Sequence, residues 1–583
     1  MSICFEMKHI LFPLLAILLS LSACNPSTGN VMNPSVAIQS IVFPKAFFNP
    51  GEPARWQITL RSDEPVFIIL FTTITFLDNI LEEKQQNVDL KLGTSIIEGS
   101  WIPPSDAPRG YGVDIRLATL QGGVIANYSS AFDVLENWTQ NPRYGFLTDF
   151  SSDRTDVSQT IDELLRYHIN GLQFYDWMYR HDQYLTQEDP YFDPLGRRLS
   201  LHTVKALIDA AHARGITAMP YTAVYSASIP FYEQHKDWAL YKIDGKPYFF
   251  GDNFLVIMDP RPDSPWTKHL LGEFSNILAK TEFDGIHLDQ YYSPQVGYDA
   301  QGNSYSLEQP MADMINATKD IVTAARGEKG AVIFNAVTNW PIETVAPSKE
   351  DVVYIEVWSP YTYYYELGLL ITQAQQLGGG KPVVLAAYID PQYKTNVLLN
   401  DAIIFANGGG HIELGEHGDY LADAYFPRYK TPDTELSAEL QRYYEFTIRY
   451  QNAIGPQTHS SNQAYSGRIS LGDGIETNPA LTKNLVMPMV RESKGYTAIS
   501  LINLLGLDNG EWAKGTLTKP TSLSSTKVNI SGISRKISQI WYSSPDVAGF
   551  SLQPLDFTQT DELISITVPY LQYWDMILIK WSD

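Results

Sequence analysis

Between residues 144 and 414 the chain repeats one pattern eight times: a short apolar run of strand length, in most cases followed by a stretch with helical spacing. The runs lie at 144–150, 171–177, 217–224, 285–290, 332–337, 353–358, 382–389 and 411–414. Helical stretches at 158–168, 201–214, 266–280, 311–325 and 372–377 or longer stand between most of them. Strands that alternate with helices pair in parallel, because each helix carries the chain back to the same end of the sheet. Eight such units predict a closed (β/α)8 barrel. A doubly wound open sheet is the alternative, but no glycine-rich phosphate loop follows an early strand. The long aromatic segment 230–260, between the third and fourth strands, is expected to form a lobe of loops over the active face. Residues 435–450 read as the closing helix.

A chain of 583 residues is too long for a single core, and 44% hydrophobic content is that of a globular protein. Residues 37–136 show short alternating strands and no long helical period, although 77–90 is ambiguous; they predict an immunoglobulin-like β-sandwich. The barrel is assigned to 137–455. Strands return from 466 onward, so 456–583 are expected to form a second, C-terminal β-sandwich packed on the barrel. The fold class expected is therefore multidomain, α/β with all-β flanks. Residues 1–24 read as a targeting segment. Lys8 and His9 precede an apolar run at 10–21 that is too short to span a bilayer. Leu21-Ser22-Ala23-Cys24 then looks like a bacterial lipobox, which would lipidate Cys24 and make it the new N-terminus, with Met7 as a possible start. An ordinary secretory signal with an incidental cysteine is the other reading. Residues 25–36 read as a polar tether. Asn25 after the cysteine allows an outer-membrane destination, so a lipid-anchored, surface-facing protein is expected, otherwise a periplasmic or secreted one. The only cysteines are Cys4 and Cys24, which leaves no disulfide framework and no cysteine-based metal site.

The net charge of −23 argues against nucleic acid as a partner. In barrel enzymes the site lies at the carboxyl ends of the strands. Two strands end on a carboxylate there. In 285–290, Ile286 and Leu288 share one face while His287 and Asp289 share the other; in 353–358, Tyr354, Glu356 and Trp358 oppose Ile355 and Val357. A carboxylate on an inward face is costly unless it is paired or used; the pair reads as the two carboxylates of a glycosidase, and core acids held in ion pairs are the other reading. The other strand ends supply Asp149, Asp176, Trp177, Tyr221, Gln290, Asn335, Tyr388, His411 and Glu413. Carboxylates, amides and aromatics converging from many strands suit sugar hydroxyls and ring faces. Each also has a structural reading: Asp149 as a loop cap, Trp177 and Trp358 as fillers of the barrel mouth, His287 as a core histidine rather than a partner of Asp289. His411, Glu413 and His417 have no diagnostic metal spacing. Neither a Gly-x-Ser-x-Gly elbow nor a His-Glu-x-x-His motif is present. No cofactor and no metal are expected.

The ordered set Pro142 to Phe150, Leu172 to His181, Phe283 to Gln290, Tyr354 to Trp358, Gly409 to Gly415, Tyr425-Phe426-Pro427 and Tyr573 to Met576 resembles glycoside hydrolase family 66, over almost all of the chain that follows residue 24. That family holds dextranases and cycloisomaltooligosaccharide glucanotransferases, which act on α-1,6-linked glucan with retention. The resemblance implies that Asp289 matches the nucleophile and Glu356 the general acid/base. It implies dextran and isomaltooligosaccharides as ligands. The transferases carry a carbohydrate-binding module inserted in the barrel region, and no such insert is visible here, which favours hydrolysis by an endo-acting dextranase. Alternatives are the transferase activity itself and a non-catalytic surface protein that holds glucan.

Overall fold

The computed structural model describes residues 36–478 and 482–582. Cys24, the expected signal segment and almost all of the expected tether lie outside the described residues. At the centre are eight parallel strands: β1 (Tyr144–Leu147), β2 (Gly171–Phe174), β3 (Thr217–Ala223), β4 (Gly285–Asp289), β5 (Ala331–Asn335), β6 (Val352–Glu356), β7 (Val383–Ala386) and β8 (Gly410–His411). They pair in chain order, each with its sequence neighbour. Eight helices follow in turn: α1 (Val157–Leu165), α2 (Leu201–Ala213), α3 (Pro265–Lys280), α4 (Glu308–Arg326), α5 (Ile342–Val345), α6 (Tyr364–Leu377), α7 (Lys394–Ala406) and α8 (Thr434–Arg449). This is the expected (β/α)8 barrel.

Side-chain alternation sorts the strands into an inside and an outside. Ile286, Leu288, Val353, Ile355, Val383 and Leu385 pack outward into the core shared with the helices. Tyr144, Phe146, Met219, Ile333, Tyr354 and Val384 belong to the inner cluster, with Trp138. The seam between β8 and β1 closes through Leu414–Gly415. A Cβ on Gly145 would lie 2.6 Å from the Leu414 carbonyl, and one on Gly415 would lie 2.4 Å from the Phe146 ring. Glycine at both positions is what lets these backbones meet. The buried Glu416 carboxylate then accepts the backbone N–H groups of Thr148 (2.7 Å) and Asp149 (3.0 Å) and pairs with Arg154 (2.7 Å).

Two helices extend the sequence reading. Residues 372–377 are only the end of α6, whose start is masked by the run Tyr363-Tyr364-Tyr365; Glu366 fixes that start by accepting the N–H groups of Thr362 and Tyr363. α7 has no polar face: every residue from Thr395 to Ala406 is buried. It lies between the barrel and the C-terminal sandwich, so the helical period has nothing to alternate against.

Before the barrel, strands Val36–Val42, Ala54–Ser62 and Gly93–Trp101 form one sheet. Val66–Phe76, Asn79–Leu90, Arg109–Ala118 and Val124–Val134 form the other, which settles 77–90 as a strand. They enclose their own core. Buried ion pairs tie this sandwich to the barrel: Arg143 with Asp133 and Arg449 with Asp114, each at 2.8 Å. After the barrel come a six-stranded and a four-stranded sheet. The six-stranded one is covered on both faces. In Trp574–Trp581, residues 574, 576 and 578 join the barrel's core, while 577, 579 and 581 face the sandwich's own.

Candidate active site

Asp289 and Glu356 are the last residues of β4 and β6, on the inward-facing parity, and both line a cleft of about 460 Å³ at the carboxyl end of the barrel. Neighbouring strand ends hold them. The Tyr221 hydroxyl donates to Asp289 Oδ2 at 2.7 Å. Asn335 Nδ2 donates to Asp289 Oδ1 at 2.8 Å and, through the same nitrogen, to Glu356 Oε2 at 3.0 Å. The Tyr388 hydroxyl donates to Glu356 Oε1 at 3.0 Å. Strands β3 to β6 and the residue two past β7 thus converge on one pair of carboxyls.

Burial pushes the Asp289 carboxyl up to about 7, aided by the charge of Glu356; hydrogen bonds from Tyr221, Asn335 and the Gln290 backbone pull it back. Burial also raises Glu356, against hydrogen bonds from Asn335, Tyr388 and Trp358. Two such groups sharing one amide titrate as a pair, and a proton on one favours the ionised form of the other. With that proton on Glu356, the repulsion that raises Asp289 is gone and three donors favour its ionised form.

The remaining candidates divide. Asp176, Tyr221, Gln290, Glu356 and Trp358 line the cleft with Asp289. The Asp176 carboxylate has one partner, the Arg197 guanidinium at 3.8 Å, and burial lifts it to about 6. Trp358 is 42% exposed and leans on Tyr388, with ring centroids 5.8 Å apart. Gln290 is spent on the scaffold: its amide donates to the Asn335 and Trp340 carbonyls and accepts from Tyr292 N–H.

Five expectations are corrected. Asp149 is exposed and caps a turn by accepting Ser151 N–H. Trp177 is buried in the core, its Nε1 donating to the Tyr221 carbonyl. The left-handed backbone at Asp176 (φ 52°) breaks the alternation of β2 and turns the next side chain outward. His287 points into the barrel below the site, 3.1 Å from the Tyr144 hydroxyl and edge-on to Tyr354; burial lowers its pKa to about 3, so it is a neutral core histidine. Tyr221 and Asn335 occupy the place it was expected to fill. His411 and Glu413 face the helix layer, where His411 Nδ1 lies 2.8 Å from Asp401 and 3.2 Å from Glu413. On β8 the inward residue is Ile412. The ligand atoms of Asp401, His411 and Glu413 lie within 4.8 Å of one another, and the two carboxylates push His411 up to about 10.

The sequence reading missed much of the cleft wall: Tyr175, His181, Phe250, Phe254, Tyr291 and Tyr425. Tyr175 was within reach, since it shares the inward parity of β2 with Gln173. Phe250 and Phe254 come from the loop lobe expected at 230–260, which folds as a three-stranded sheet of Ser226–Ser228, Leu255–Ile257 and Phe249–Phe250. Phe250 stacks on Tyr291 at 4.0 Å. No spacing rule brings such loops together.

A (β/α)8 barrel whose fourth and sixth strands present two carboxylates to an aromatic-walled cleft has the architecture of a glycosidase. Comparison with known families makes this specific. The glycosyl hydrolase family 66 model matches residues 43–578, and the chain belongs to that family. Among curated proteins it is similar to a cycloisomaltooligosaccharide glucanotransferase of Niallia circulans, 25% identical with 97% of this chain and 75% of that one covered. It is also similar to a dextranase of Streptococcus salivarius, 24% identical with 85% and 71% covered. Among solved structures, the cycloisomaltooligosaccharide glucanotransferase of a Paenibacillus species, complexed with cycloisomaltoheptaose, has the same fold: TM-score 0.85, 22% identity, 93% of this chain and 99% of that one covered.

Proposed function

We propose that the protein is a retaining, endo-acting dextranase that cleaves α-1,6-glucosidic links and releases isomaltooligosaccharides. Asp289 serves as nucleophile and Glu356 as general acid/base. The observation that carries the mechanism is the shared Asn335 amide. Two oxygens bonded to one nitrogen at 2.8 and 3.0 Å are less than about 6 Å apart at any angle. That bound supports a retaining pair, with carboxyls about 5–5.5 Å apart, over an inverting one at about 6.5–9.5 Å.

The chemistry follows from the donors. Ionised Asp289 attacks the anomeric carbon while Glu356 gives its proton to the leaving glycosidic oxygen. The Asp289 oxygens accept from Tyr221 and Asn335 and keep lone pairs for the attack. Glu356, now a carboxylate, takes a proton from water, and the hydroxide formed in flight displaces Asp289 from the sugar. Tyr388 and Asn335 hold Glu356 through both states. Trp358, Tyr291 and Phe250 offer ring faces to the sugar. Hydrolysis is favoured over transfer because no separate module interrupts the described barrel. Its longest inter-strand connection, from β3 to β4, holds only the small aromatic sheet, a short helix and α3.

The test is a timed product analysis on dextran, with starch and a β-glucan as controls. A fast fall in viscosity with few new reducing ends, and an α-configured first product by NMR, is the expected result. Starch cut as fast as dextran would remove the linkage assignment, and a β-configured product would remove Asp289 from the nucleophile role.

A further inference from the structure

The N-terminal sandwich holds a second cleft, remote in sequence from the catalytic one. Asn79–Leu90 and Gly93–Trp101 are edge strands of the two opposed sheets, each paired on one side only. Between them the sheets part and leave a cleft of about 220 Å³. Along the first edge strand the inward positions, two apart, read Leu90, Val88, Gln86, Lys84 and Glu82. Leu90 and Val88 are buried in the sandwich core, whereas Gln86, Lys84 and Glu82 line the cleft. The apolar pattern stops halfway along a strand whose inner face still meets apolar Ile58, Leu70 and Ile97.

Inward charges on an edge strand can simply deter pairing with another chain. Lys84 fits that reading, since its ammonium pairs with Glu82 and donates to the Ser100 carbonyl across the gap. Three other groups do not. Trp56 is 3% exposed, yet its buried Nε1–H has no partner among the described residues. The residue opposite it in the ladder is Gly99, where a Cβ would lie 2.1 Å from that nitrogen, so the indole edge depends on a missing side chain. Among the described residues, the side chains of Thr72 and Gln86 also line the cleft without a hydrogen bond. A buried donor left unpaired is costly unless something fills the place of water.

The chemistry of the lining names the ligand. The one cation pairs with Glu82, and Glu98, which accepts from Gln57 Nε2, leaves the lining one negative charge, so the cleft does not favour an anion. Apolar floor, indole edges and free amide and hydroxyl groups suit a neutral ring carrying hydroxyls. We propose that this cleft is a non-catalytic binding site for a stretch of the same glucan, which would hold a polymer by its remote part while the barrel acts on another. The identity of the glycan rests on the function proposed above; the existence of the site does not.

The experiment uses the full chain with Asp289→Asn, so that polymer is bound and not cut. Migration through gels containing dextran is compared with that of the same chain carrying also Thr72→Val and Gln86→Ala, the first isosteric and the second on an exposed edge. Loss of two hydrogen-bonding side chains is expected to weaken retardation about tenfold, with hydrolysis of short isomaltooligosaccharides unchanged when the pair is placed in the active protein. Hydrogen–deuterium exchange with isomaltooligosaccharide is a local second readout, expected to slow in strands Asn79–Leu90 and Gly93–Trp101. Equal retardation with no such protection overturns the proposal. If dextran is not hydrolysed by the active protein but retardation still depends on Thr72 and Gln86, the catalytic reading falls and the cleft stands.

Discussion

At the scale of single residues, the two carboxyls are separable by chemistry. Asp289→Ala should abolish turnover of every glycoside, and azide should restore it with the inverted β-glycosyl azide, because the anion enters from the vacated side. Glu356→Ala removes the proton donor, worth on the order of 100- to 10,000-fold. It should spare substrates with an activated aryl leaving group, and azide should there give the α-glycosyl azide. The same azide anomer from both variants would contradict the roles assigned. A stability experiment reads the charge directly. The Asp289 carboxyl titrates near 7 when folded, well above an unfolded value of about 3.9. Its contribution is therefore fully present below about 4 and lost as pH rises through 7. Asp289→Asn cannot ionise, so its melting temperature should match the parent near pH 4 and exceed it by at least about 2 °C at pH 8. A difference that does not change with pH would mean that burial and the charge of Glu356 do not raise the Asp289 carboxyl in the folded chain.

At the scale of elements, the C-terminal sandwich braces the loop that follows Glu356. Trp512 N–H donates to the Thr362 carbonyl, Trp512 Nε1 to the Tyr361 carbonyl at 2.8 Å, and Tyr364 N–H to the Gly510 carbonyl. The same loop anchors the start of α7, where Asn396 Nδ2 donates to the Trp512 carbonyl and Asn396 Oδ1 accepts Thr516 N–H. Loops after β6 and β7, which carry Glu356 with Trp358 and Tyr388, thus share one clamp. Trp512→Phe keeps the buried ring and leaves the Tyr361 carbonyl unpaired, at a cost of about 1–3 kcal/mol. Its effect should appear as a lower kcat together with a lower melting temperature, measured on dextran and by calorimetry. A variant that melts early with unchanged kcat would show that the clamp serves stability alone.

At the scale of the whole molecule, both sandwiches are fixed to the barrel. The buried Arg143–Asp133 and Arg449–Asp114 pairs hold the first, and a sheet apolar on both faces holds the second. The described chain starts in the N-terminal sandwich, at Val36, and we propose that the preceding residues tether it to the outer membrane through a lipidated Cys24. Cys24→Ser should release active enzyme from the membrane fraction of the native host. Wild-type protein recovered wholly in the soluble fraction would end that proposal.

What the sequence determined by itself is whatever depends on local period. Eight strand runs, the faces of β4 and β6, and the pair Asp289 and Glu356 all follow from alternation along a strand and from the rule that barrel sites sit at carboxyl ends. Alternation fails where the backbone leaves the strand. Trp177 lies one residue past the left-handed Asp176, and its ring turned into the core. On β8, Ile412 is flanked by two polar residues, so the sequence offered His411 and Glu413 as site groups and the tertiary structure took Ile412 instead. α7 was invisible because burial on all sides erases the helical period. The partners of the two carboxyls, the Phe250–Tyr291 wall and the clamp on the β6 loop were decided only in three dimensions, because each joins residues tens to hundreds of positions apart whose meeting is set by packing and not by spacing.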